Sequence, residues 1–142
     1  MSTGTKGGTM KEEGKKYELL EVSPSSNLYR IRALRDFGDV HAGDLGGYVQ
    51  SESNLSHEEL CWVYDNAVVK DNAYIGECAM LRDNAIVSGN ARVVGYCTVS
   101  DDAVIKDKVY ISGTMVISGS SVLEGEIQIH GKGILNDIKT YD

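Results

Sequence analysis

The sequence predicts an all-β chain wound into a parallel solenoid, and three observations carry that expectation. From Trp62 the chain divides without a gap into thirteen six-residue words: WVYDNA, VVKDNA, YIGECA, MLRDNA, IVSGNA, RVVGYC, TVSDDA, VIKDKV, YISGTM, VISGSS, VLEGEI, QIHGKG and ILNDIK. Every word has Val, Ile or Leu in second place, from Val63 through Leu135, and six of the first seven end in Ala, with Cys97 the exception. The 142 residues also hold 16 glycines against a single proline, which suits many tight turns between hydrogen-bonded strands, where a missing N–H would break a ladder.

A period of six fits neither an amphipathic helix nor a long alternating strand. It fits strands of about three residues joined by sharp corners, three strands closing a triangular coil of eighteen residues, with coils stacked as parallel ladders. The second place points into the prism and stacks on its copies, as in Val63, Leu81, Val99, Ile117 and Leu135, each burial worth about 25 cal/mol per Å² of apolar surface. The sixth place faces inward at a crowded corner, hence Ala. The fourth place is an acid or Gly throughout, and the fifth holds Asn66, Asn72, Asn84 and Asn90, where Asn, tolerant of a left-handed backbone, is expected to make the turn. The first and third places look outward.

The same register, run backwards, places Leu45 over Val63 and Val49 over Ala67, with Leu55 and Cys61 on inward places but Ser51 and His57 where aliphatics belong. The first coil is therefore expected to be present but distorted. Roughly five coils at about 4.8 Å each make a prism about 25 Å tall. Ahead of them, KKYELLEVSPSSNLYRIRALRDFGDV reads as two strands around a Ser-Pro-Ser-Ser-Asn turn, expected to cover the open edge of the first coil. The organisation expected is a disordered polar tail over 1–16, a strand cap over 17–44 and the solenoid over 45–142. The last stretch, ILNDIKTYD, shows no comparable cap.

Two patterns carry a family resemblance. An aliphatic residue followed four places later by a small one, often preceded by Asn, resembles the hexapeptide repeat of left-handed parallel β-helices, and that resemblance, not the period, implies the handedness. The run LYRIRALRDFGDVHAGDLGGYVQSESNLS at 28–56, followed by CWVYDNA, resembles the front of a small β-helix family of enterobacteria and of phages or prophages of gut bacteria, whose members often carry the label acetyltransferase. With the words it covers about residues 17 to 139.

The net charge of −7 argues against a nucleic-acid footprint, which needs clustered Lys and Arg, and favours a basic partner over an acidic one. No apolar run approaches a bilayer span and the N-terminus lacks a signal-peptide centre, so a cytoplasmic location without membrane contact is expected. Cys61, Cys78 and Cys97, odd in number and without a C-x-x-C pair, suggest reduced packing thiols and no zinc site.

Hexapeptide β-helices include trimeric acyltransferases that use a histidine base and an acyl-CoA. That resemblance implies acetyl-CoA as cofactor and singles out His130, in an outward third place of a late coil, ahead of His41 and His57. The words run without the inserted loop with which such enzymes wall their pocket, so binding is expected in place of catalysis, with no cofactor or metal. Asp65, Asp83 and Asp101 share the fourth place of successive coils and stack three carboxylates about 5 Å apart, to be held by backbone N–H groups, a cation or a basic partner. Val68, Ile86, Val104 and Val122 form an outward aliphatic stripe beside Lys70, Ser88, Lys106 and Glu124, a pattern of association surfaces, whether for a protein partner or another copy. Trp62 and Tyr64, with Tyr48, are the candidate aromatic hot spot, with rim packing under the N-terminal cap as the competing reading. Phage or prophage setting and acidity together suggest inhibition of a host defence protein by charge complementarity. An acyl-CoA-dependent transferase and a module that polymerises end to end are the alternatives.

Overall fold

In the computed structural model, which describes residues 14–140, the backbone turns left-handed at the fourth place of every six-residue word. The angle φ lies between 55° and 59° at Asp65, Asp71, Glu77, Asp83, Asp101, Asp107 and Asp137, and between 68° and 139° at Gly89, Gly95, Gly113, Gly119, Gly125 and Gly131. A side chain with an ordinary Cβ loses about 1–2 kcal/mol in this region, Asp tolerates it and Gly enters freely. That is why the fourth place admits only acids and Gly, and it corrects the expectation that the fifth-place Asn makes the turn: Asn66, Asn72, Asn84 and Asn90 are not left-handed. Seven of the corners close as a four-residue turn, among them the Ala67 N–H donating to Tyr64 O at 3.1 Å and the Ala85 N–H to Arg82 O at 3.2 Å.

Between corners lie two-residue strands, paired in parallel exactly one coil apart. Trp62–Val63, Met80–Leu81 and Thr98–Val99 stack in register and continue onto Val116 and Ile117, Tyr74–Ile75, Arg92–Val93 and Tyr110–Ile111 form a second ladder, and Val68–Val69, Ile86–Val87, Val104–Ile105 and Val122–Leu123 a third. The chain is a parallel β-helix of about five coils. Two late segments, Tyr110–Ser118 and Gln128–Asn136, run as nine-residue strands around the corner between two faces.

The core is the stack of second and sixth places. Val63, Val69, Ile75, Leu81, Val87, Val93, Val99, Ile105, Ile111, Ile117 and Leu123 are fully buried, as are Ala67, Ala73, Ala79, Ala85, Ala91, Cys97 and Ala103. Ile129 and Leu135, the last two of the series, are half-buried. Cys61, Cys78 and Cys97 are free and buried.

At the other end, β1 (Tyr17–Glu21), β2 (Tyr29–Ala33) and β3 (Leu45–Val49) form an antiparallel meander whose third strand pairs in parallel with Val68–Val69. The meander thus extends one face of the prism. The Ser23–Ser26 turn around Pro24 closes with the Ser26 N–H on Ser23 O at 3.0 Å. Two expectations need correction here. Val49 pairs with Val69 and Tyr48 with Val68, so the first coil spans twenty residues and Leu45, meant to sit inward over Val63, is 54% exposed. The two extra residues lie between 56 and 61, since Leu55 still pairs with Ile75, twenty residues on, whereas Trp62 pairs with Met80, eighteen on; just before them, in a 3-10 turn over Glu52–Asn54, buried Asn54 Oδ1 accepts from the Gln50 and Ser51 N–H groups. Lys16, assigned to the disordered tail, is fully buried, and Lys15 of the same tail pairs with Glu52 at 3.1 Å; residues 1–13 lie outside the described part. At the last coil, Val122 donates to Ile138 O and accepts from the Thr140 N–H, so 138–140 continue the third ladder.

Two substitutions at one corner separate backbone conformation from side-chain chemistry. Asp83→Val is expected to cost about 1–2 kcal/mol more than Asp83→Gly in urea unfolding, since both lose the carboxylate but only Val resists φ of 57°. In the core, Ile105→Ala is expected to cost about 2–5 kcal/mol.

Candidate interaction surfaces

The outward places divide by chemistry. Among the first and third places of all thirteen words the only acid is Glu124, while Lys70, Arg82, Arg92 and Lys106 supply positive charge. The acids lie on the corners, for the conformational reason given above. The acidity of the chain is therefore drawn into edges, and the flat faces are left apolar or weakly basic.

The corner carboxylates do more than tolerate the turn. Asp65 Oδ2 accepts from the Asp83 N–H at 3.0 Å, Asp83 Oδ2 from the Asp101 N–H at 3.0 Å, and Asp101 Oδ2 from the Gly119 N–H at 2.8 Å. The same bond joins Asp71 to the Gly89 N–H, Asp107 to the Gly125 N–H and Glu77 to the Gly95 N–H. Each acid caps the turn of the next coil, which answers how three stacked carboxylates coexist: a backbone donor stands between successive charges. Among the described residues the second oxygen of Asp65, Asp83 and Asp101 accepts no hydrogen bond and none of the three enters an ion pair.

Val68, Ile86, Val104 and Val122 form one in-register column headed by Tyr48, each half-buried by its neighbours. On one side run Lys70, Ser88 and the Lys106–Glu124 pair at 3.3 Å; on the other, three residues back along each strand, run Asp65, Asp83 and Asp101. An aliphatic stripe edged by carboxylates on one flank and by lysines on the other is a composite patch.

The aromatic candidates do not assemble. Trp62 is 1% exposed, held edge-on against Phe37 at 5.1 Å and Tyr17 at 6.2 Å; it belongs to the seam between cap and helix, a correction to its place in a surface hot spot. Tyr48 stands on a different face from Tyr64, under Arg30, whose Nη1 donates to its hydroxyl at 3.2 Å. The Tyr64 hydroxyl donates to Asp39 Oδ1 at 2.9 Å and its ring carries the Arg82 guanidinium at 4.0 Å. Burial, reinforced by Asp39, pushes this phenol up to about 12. A similar stack, Arg92 on Tyr74 at 4.5 Å, repeats the one-coil spacing.

The three histidines divide likewise. His41 is exposed at a turn, its N–H on Asp44 Oδ2. His57 is structural: Nδ1 accepts from the Lys16 N–H at 3.0 Å, Nε2 meets Glu52 Oε1 at 2.9 Å, and the ring stacks on Tyr17 at 4.1 Å. That hydrogen bond holds Glu52 below the usual carboxylate range. His130 lies on an exposed face with Nδ1 2.5 Å from Ser112 Oγ and its edge toward Tyr110, a hydroxyl and a base in contact.

Sequence reasoning missed Lys16. Its ammonium donates to Cys61 O at 2.7 Å and to Glu58 O and Glu59 O at 3.3 Å, and lies 3.4 Å from Cys61 Sγ and 4.9 Å from the Phe37 ring. Burial lowers its pKa below the ordinary lysine value and raises that of the Cys61 thiol. The only signal was a basic pair immediately before the first strand, indistinguishable from a solvated tail.

No protein-family model matches the chain. It is similar to a protein of Escherichia coli (strain K12) described as the uncharacterized acetyltransferase YdcK, 38% identical over 69 residues, which are 46% of this chain and 21% of that protein. The matched part thus spans about a fifth of that relative's length. Among the described residues no helix is long and apolar enough to cross a membrane.

Tyr64 sets an alkaline limit on stability. It ionises near 10 in an unfolded chain and near 12 in the folded one, so the folded state holds the proton longer and stability falls as pH rises through that window. Tyr64→Phe is expected to flatten the decline of the urea midpoint above pH 10. Lys16→Met, which takes the donor from the buried Cys61 carbonyl and the part-buried Glu58 and Glu59 carbonyls, is expected to cost about 1–3 kcal/mol in the same assay at neutral pH.

Proposed function

Because the chain is a hexapeptide-repeat β-helix, we propose that it works by binding a protein through one flank of the prism, without catalysis. The observation that carries this reading is the continuous stripe Tyr48, Val68, Ile86, Val104 and Val122 with the carboxylate column Asp65, Asp83 and Asp101 along its edge. An apolar centre with a charged rim is how specific interfaces are built, and a rigid ladder presents it at low entropic cost. The complementary partner bears an apolar ridge flanked by Lys and Arg. A nucleic-acid-binding protein of a host defence system has that chemistry, and a phage or prophage setting for this chain gives such a partner a role.

A second reading, acyl transfer from acetyl-CoA, has two supports: the description of the relative as an acetyltransferase and the contact of His130 with Ser112. Against it stand the exposed setting of that pair and the uninterrupted repeat.

The test compares wild type with Ile86→Lys and His130→Gln, measuring stability, light-scattering mass with and without candidate basic partners, and acetyl-CoA turnover. The binding reading expects Ile86→Lys to lose association tenfold or more while unfolding midpoints stay put, with no turnover in any variant. Association unaffected by Ile86→Lys, or turnover abolished by His130→Gln, overturns it.

A further inference from the structure

At one corner of the prism acids and glycines alternate. Its fourth places read Asp71, Gly89, Asp107 and Gly125. Asp71 caps the Gly89 N–H at 3.0 Å and Asp107 caps the Gly125 N–H at 2.9 Å. Gly89 has no carboxylate to offer, and among the described residues the Asp107 N–H has no acceptor. A Cβ added at Gly89 would sit 2.8 Å from Asp107 N and 3.1 Å from Asp107 O, so the two coils approach closely here and Gly89 leaves that N–H bordered by backbone. Here the surface carries a cleft of about 410 Å³ lined by Gly89, Asn90, Asp107, Lys108, Gly125 and Glu126.

We propose that this cleft binds a small carboxylate, its oxygens occupying on the Asp107 N–H the position that an acid side chain occupies at the coils on either side. Three features fit that class of ligand. The donor has the same backbone setting as six N–H groups that already donate to a carboxylate in this chain. The Lys108 ammonium and the Asn90 amide stand at the same corner to take the second oxygen. The Asp107 carboxylate, spent on the Gly125 N–H, is turned to the next coil. Opposing them is Glu126, 3.4 Å from Lys108 and 76% exposed. The ligand displaces it from the lysine, and its charge keeps the free affinity low.

Amide NMR titration with sodium acetate, against sodium chloride at equal ionic strength, tests the site. The expected result is a saturable movement of the Asp107 and Lys108 amide signals with acetate that chloride does not reproduce. Gly89→Asp supplies the missing carboxylate in a backbone conformation (φ 68°) close to that of the other corner acids and is expected to abolish the response. Lys108→Gln is expected to weaken it severalfold and Glu126→Gln to strengthen it by a similar factor. Acetate behaving like chloride, or Gly89→Asp titrating like wild type, overturns the proposal. Should the close approach at Gly89 prevent that variant from folding, the opposite shifts of Lys108→Gln and Glu126→Gln decide: no change in either overturns it.

Discussion

Everything in this chain hangs on a corner taken every six residues with a left-handed backbone. The corner is short because strands of two residues must close a triangle, and a short corner needs positive φ in its second residue. Only acids and Gly occupy that position, and the acid supplies a second service by capping the corresponding N–H of the next coil. One residue type thus pays the conformational cost of the turn and ties successive turns together. The inward aliphatics then stack because the corners fix their phase.

That division of labour decides which surfaces are left for function. Carboxylates bound to the corners leave the faces nearly free of acid, so a strongly acidic protein presents flat apolar and basic stripes bordered by negative edges. The charge that suggests a basic partner and the stripe that suggests an apolar one are neighbouring parts of one flank. Where the corner uses Gly, the inter-coil cap is lost, and at Gly89 that loss borders a cleft.

Much of this was legible in the sequence. The thirteen aliphatic second places and the small sixth places fixed coil number, inward faces and the columns of outward residues, because each depends only on the period. The stripe from Val68 to Val122 and the stack of Asp65, Asp83 and Asp101 were readable for the same reason. Features set by contacts between distant segments were not. Trp62 reads as outward by its place in the repeat, but the cap folds Tyr17 and Phe37 over it. Lys16 looks like part of a polar tail until the carbonyls of Glu58, Glu59 and Cys61 converge on it. The two extra residues of the first coil shift Leu45 and Val49 out of the later phase, and nothing in the later words announces that slip. The turn itself was placed one residue late, because Asn and Asp share tolerance of left-handed backbone and only the geometry shows which of them uses it.

Amide hydrogen exchange at the fourth places tests most directly whether corner carboxylates hold the coils together. The N–H groups of Asp83, Gly89, Gly95, Asp101, Gly119 and Gly125, each capped by an acid one coil earlier, should exchange slowly, and that of Asp107, above Gly89, should exchange fast. Exchange at Asp107 as slow as at Asp101 would contradict this, since protection would then come from the ladder alone and the acids would serve only the turn.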